Sequence, residues 1–228
     1  MVAGAVLIVA ALLLFLYNQN LNREAGEAVE EVMPELIEAA EEAAEKEQED
    51  GQEEETAEDE AAAEEETETA AEEAEDEESV EDPEAEEAAE EEEDTEEEMT
   101  AVTVDSYEYI GYLTIPSLDL ELSVMSSWSY PKLKISPCRY SGSIAGGNLV
   151  ICAHNYSRHF GRIKNLSEGD DVYFTDMDGN TYHYEVAEVT TLAPTAIEEM
   201  TSSGYDLTLF TCTYGGKSRV TVRCSLVN

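Results

Sequence analysis

The 228 residues carry 55 acidic and 11 basic side chains, a formal net charge of −44 that repels polyanions and leaves no nucleic-acid partner to expect. The charge is uneven: residues 1–23 hold Arg23 and no acid, residues 24–100 hold 41 acids against Lys46, and residues 101–228 hold 14 acids and nine bases. Only the last segment mixes Val, Ile, Leu, Tyr and Gly in proportions that build a core, so one globular domain is expected at 101–228.

Met1 to Tyr17 runs through Leu7, Ile8, Leu12, Leu13, Leu14 and Phe15 without a charge. Such a run is near the lower limit of about 17 residues for a spanning helix. A cleaved signal peptide needs a basic start and a small-x-small site, and neither is clear here. Residues 1–17 are therefore expected to be an uncleaved single-pass anchor. Arg23 alone favours the opposite topology under the positive-inside rule, so the extracytoplasmic placement of the domain rests on the acidic bulk and on the chemistry below.

Residues 18–100 read as an acidic, Glu/Ala-rich disordered spacer. Glu and Ala favour helix singly, but like charges four residues apart with almost no Lys partner oppose it. A self-repelling chain of this kind is extended, and it would hold the domain clear of a membrane.

Strand signals dominate after residue 107. Tyr109–Ile115 stops at Pro116, Leu118–Val124 alternates with period two, and the two are expected to pair. Asn148–Ala153 is a short apolar run that delivers His154 to its tip. Asp171–Thr175 and Thr181–Val189 flank Asp178-Gly179-Asn180, a hairpin signal. Thr195 and Glu198 have the spacing of a capping box, predicting a short helix near 195–201. A final hairpin joins Leu207–Cys212 to Arg219–Leu226. Many short strands with one or two small helices predict a mostly β fold, a closed or nearly closed barrel.

Three side chains carry candidate chemistry. Cys212 ends an apolar strand, and Arg219 opens the next across a Gly215-Gly216 turn. A thiolate at the first position can attack a carbonyl, and a cation at the second can stabilise the oxyanion. His154 supplies an imidazole able to protonate a leaving amine.

Over most of residues 107–228 these features resemble the sortases, the cysteine transpeptidases of Gram-positive cell envelopes. Thr208-Leu209-Phe210-Thr211-Cys212 matches the family's Thr-Leu-X-Thr-Cys motif, Arg219 matches its arginine and His154 its histidine. Gly111-Tyr112-Leu113-Thr114-Ile115-Pro116 adds to the likeness. Two departures stand out: Cys152-Ala153 occupies the place of an Ala-Gly before the histidine, and Ser123 that of a proline after the second strand. The compact domain leans toward a class B- or D-like type.

The resemblance implies a closed sortase-like β-barrel whose catalytic residues are His154, Cys212 and Arg219, with Thr211 as a substrate-binding candidate. It implies cleavage of a Leu-Pro-X-Thr-Gly-like sorting signal through a Cys thioester. The expected partners are secreted proteins with C-terminal sorting signals and a cell-wall precursor or pilin amine. Specificity is expected between Leu192 and Tyr205. No cofactor and no metal are expected, because the His and Cys spacings match no tetrahedral motif.

His183 is expected on a solvent face, and His159 is a weaker candidate for the groove. Cys138, Cys152 and Cys224 are expected as buried thiols or as one disulfide in any of three pairings. Two other functions compete: a Cys-His peptidase or wall hydrolase using water, and a non-catalytic envelope binding module. The order His before Cys counts against papain-like enzymes.

Overall fold

The computed structural model describes residues 2–57 and 99–227. Helix α1 spans Val2–Ala57. Nine strands follow: β1 Val102–Val104, β2 Tyr107–Ile115, β3 Leu120–Met125, β4 Cys138–Ser141, β5 Leu149–Ala153, β6 Asp171–Asp176, β7 Thr181–Leu192, β8 Leu207–Cys212 and β9 Arg219–Leu226, with helix α2 at Ile197–Thr201 before β8.

The sheet order is β1-β2-β3-β4-β5-β8-β9-β7-β6, and β6 pairs back onto β2. Strands β2 to β9 therefore form a closed eight-stranded barrel with β1 added on one flank, as the spacing of short strands predicts. Two pairings are parallel, β3 with β4 and β5 with β8. The β5–β8 pair matters most, because parallel strands end at the same side of the barrel.

The interior is filled by residues that alternate along these strands, including Leu113, Leu122, Val124, Ile151, Phe174, Leu209 and Val222. Gly111 sits at a bulge in β2 with φ +149°, where a Cβ would collide with the Thr175 carbonyl on β6. Glycine there lets the barrel close.

The acidic segment departs from expectation. Instead of becoming disordered at residue 18, the chain continues as α1 through Ala57. Ala25, Val29, Val32, Met33, Leu36 and Ala40 form a stripe that is buried against the barrel. Their spacing of three and four residues lays them on one face, while Glu24, Glu27, Glu31 and Glu35 remain exposed. Burial of an apolar side chain of this size contributes about 1.5–3 kcal/mol, enough to override weak repulsion of a few tenths of a kcal/mol per exposed Glu pair. The rest of the expected spacer, 58–98, lies outside the described residues.

Near its start α1 is long and apolar enough to cross a membrane. Side chains from Val6 to Tyr17 stand exposed. The chain thus presents a bare apolar segment and a docked amphipathic one on a single helix. The capping box is also corrected. Ala196 occupies the cap of α2 without a side-chain hydrogen bond, and Glu198 and Glu199 fill the first turn instead, where carboxylates favour the helix dipole.

Candidate active site

Cys212 is the last residue of β8, and its register partner is Arg219, the first of β9. Between them the turn is tied by Thr213 N–H to the Ser218 carbonyl at 2.9 Å and Gly216 N–H to the Thr213 carbonyl at 2.9 Å. Gly215 and Gly216 have φ values of +80° and +70°, a left-handed backbone that glycine adopts without strain. Arg219 Nη1 donates to the carbonyls of Gly216 and Ser218 at 3.1 and 3.3 Å. The turn therefore fixes the guanidinium by one nitrogen and leaves the other edge of the fork to meet a ligand.

His154 arrives from the neighbouring strand. Ala153 of β5 pairs in parallel with Thr211 of β8, so the next residues, His154 and Cys212, leave the same end of the barrel side by side. Cys212, His154 and Arg219 line one groove of about 200 Å³. One wall is aromatic, built from Trp128, Tyr130, Tyr140 and Phe210, with ring centroids 5.2–5.8 Å apart along the row. The other is aliphatic: Pro194, Ala196, Ile197 and Met200 come from the segment expected to govern specificity. Walls of this kind suit an apolar ligand, with the polar groups gathered at the groove's end.

Burial lowers the pKa of His154, and the Lys134 ammonium lowers it further. Both favour neutral imidazole at neutral pH, so a minority of molecules holds the proton needed for a general acid. Cys212 is half-buried and a free thiol. Cys138, Cys152 and Cys224 are also free and lie buried. Burial pushes the thiols of Cys138 and Cys224 up to about 12 and raises that of Cys152 as well. None of the three pairings considered from the sequence is formed.

Thr211 does not line the groove. Adjacent to Cys212 on a strand, it points to the opposite face, where its buried hydroxyl donates to the Ala153 carbonyl at 2.8 Å. It ties the nucleophile strand to the residue before His154 and has no surface for a substrate. His159 is likewise outside the groove, fully buried with Nε2 against the Ala25 carbonyl of α1 at 3.3 Å. His183 lies on the outer face, stacked on Tyr173 and 2.7 Å from Asp171 Oδ1. The aromatic wall was missed in the sequence, although Trp128, Tyr130 and Tyr140 form the signal: three large rings within 13 residues.

The sortase domain model matches residues 113–227, just over half of the chain. Sortase A of Bacillus anthracis is 31% identical over 121 residues, covering 50% of this chain and 57% of that protein. Sortase A of Listeria monocytogenes serovar 1/2a is 28% identical over 118 residues, covering 49% and 53%. Among solved structures, sortase C1 from Streptococcus agalactiae shares 27% identity with a TM-score of 0.49, covering 55% of this chain and 71% of that one. The chain belongs to the sortase family. It spans little more than half the length of the curated relatives it matches.

Proposed function

We propose that this chain is a membrane-anchored cysteine transpeptidase. The observation that carries the reading is the convergence of Cys212, Arg219 and His154 at the end of one apolar groove. The Cys212 thiolate attacks the carbonyl carbon of the Thr–Gly bond in a Leu-Pro-X-Thr-Gly-like sorting signal. The oxyanion accepts hydrogen bonds from the Arg219 guanidinium and from backbone N–H groups. The C–N bond breaks as His154 gives its proton to the departing glycine amine. An amine from a cell-wall precursor or a pilin then attacks the thioester, gives its proton to the neutral His154, and returns the C–S electron pair to sulfur.

The substrates on this reading are secreted proteins with C-terminal sorting signals. The apolar start of α1 supports anchoring in the membrane, and the sorting-signal chemistry requires the barrel on its outer side. His154, Cys212 and Arg219 are the catalytic residues.

The test incubates the full chain, in detergent micelles, with a Leu-Pro-X-Thr-Gly peptide and an amine acceptor. A hydroxylamine-sensitive mass adduct on Cys212 and an amine-linked product are expected. Hydrolysis with no amine-linked product would make the chain a peptidase that uses water. No adduct across a range of motif variants, with Cys212 still open to alkylation, would remove the reading altogether.

A further inference from the structure

The residues after His154 loop outward and return, so that the Phe160 N–H donates to the His154 carbonyl at 3.3 Å. This loop is held by α1. Asn22 Oδ1 accepts from the Ser157 N–H at 2.7 Å and from its hydroxyl at 3.2 Å. Glu30 pairs with Arg158. Gly26 lies so close beneath Arg158 that a Cβ there would overlap the guanidinium.

His159 closes the contact from inside. Its partner on α1 is a carbonyl, which only accepts, so Nε2 carries a proton, and burial keeps the ring neutral. Between the two imidazoles stands Tyr156, its ring centroid 5.0 Å from His154 and 5.6 Å from His159. A continuous path of contacts thus runs from the α1 backbone through His159 and Tyr156 to His154.

We propose that the α1 segment Asn22–Glu30 is a positioning element of the active site, fixing the Asn155–His159 loop and thereby the direction of the His154 imidazole. The proposal rests on the transpeptidase reading for what His154 does, but the positioning is a property of the loop itself. None of Asn22, Gly26, Glu30 or His159 lines the groove, so each acts through His154. Proton delivery depends on sub-ångström placement, and a misplacement of about 1 Å costs on the order of a hundredfold in rate. The charged and titratable groups facing His154 are Lys134 from the turn Lys132–Lys134, Cys212 and Arg219 from the hairpin, and Tyr156 and His159 from its own loop.

The test uses full-length Asn22→Ala, which removes the acceptor for the Ser157 N–H and hydroxyl, beside Asn22→Asp, which keeps it. Two measurements are made: single-turnover acylation by a sorting peptide, and the NMR titration of the His154 ring. Asn22→Ala should lower the acylation rate about tenfold or more and move the His154 resonances and titration midpoint, and Asn22→Asp should retain the wild-type values of both. Wild-type kinetics and an unmoved His154 titration in Asn22→Ala would overturn the proposal.

Should Asn22→Ala fail to fold, His159→Leu and His159→Gln decide. The glutamine keeps a donor for the Ala25 carbonyl and should retain the wild-type titration of His154, while leucine should not; identical behaviour of the two would sink the idea. A wild-type chain that forms no thioester removes the reaction assigned to the groove, whereas the His154 titration still decides the positioning.

Discussion

Cys212 and Arg219 are direct cross-strand partners, the last residue of β8 facing the first of β9. Their separation is set by the ladder of the hairpin and not by a mobile loop. The guanidinium is already oriented by the Gly216 and Ser218 carbonyls. Replacing Arg219 with Ala should therefore slow acylation by about 10²–10³-fold, as loss of an oxyanion donor does. Lys should recover little of this, since a point charge cannot grip two carbonyls and an oxyanion with one fork. Single-turnover thioester formation by mass reads the effect; an Arg219→Ala chain as fast as wild type would contradict it.

Lys134→Gln should raise the pKa of His154. Burial and the Lys134 ammonium both disfavour imidazolium, and the substitution lifts the second cause while leaving the first. More molecules then hold the His154 proton at neutral pH. An NMR titration in which the midpoint stays put or falls would show that the lysine charge does not reach the ring.

Thr211→Val is a sharper probe of role than of stability alone. Loss of the hydroxyl leaves the Ala153 carbonyl without its donor, at a cost of about 1–3 kcal/mol. Because Thr211 tethers the strand end that carries His154, kcat should fall with KM unchanged, and Thr211→Ser should restore it. A rise in KM alone would instead place Thr211 on the substrate.

His159 should make the fold sensitive to acid. Burial holds its pKa down to about 4, against about 6.5 in an unfolded chain. The unfolded state therefore takes up a proton first, and stability is lost as pH falls from about 6.5 to about 4. The loss is roughly 3 kcal/mol over that window. Thermal melts of wild type and His159→Gln at pH 7 and 4.5 check this; parallel declines would rule it out.

Iodoacetamide at neutral pH should label Cys212 alone in the native chain. Cys138, Cys152 and Cys224 are buried with raised thiol pKa values, and only the thiolate reacts. Peptide mapping before and after denaturation distinguishes the classes, and native labelling of Cys152 would mean that the groove opens more widely than the structure shows.

The hairpin of β8 and β9 was readable to the residue, because β-branched runs and a Gly-Gly turn mark both ends. The tip of β5 and the β6–β7 pair were legible for the same reason. Strand β4 was not, since it is four residues long and meets β3 through the single register pair of Met125 with Cys138. The role of Thr211 was within reach, as period two already turns it away from Cys212. The docked face of α1 was hidden by composition: Glu dominates the count, while the recurrence of Ala25, Val29, Val32, Leu36 and Ala40 carries the packing. Tertiary burial, not propensity, makes that helix.

Because α1 is fastened to the barrel by residues 25–40, and β1 at Val102–Val104 is hydrogen-bonded to β2, the acidic stretch 58–98 both departs from and returns to the same body. The height of the groove along the helix axis is therefore set by where residues 25–40 of α1 dock, so the helix and not the number of acidic residues is the ruler.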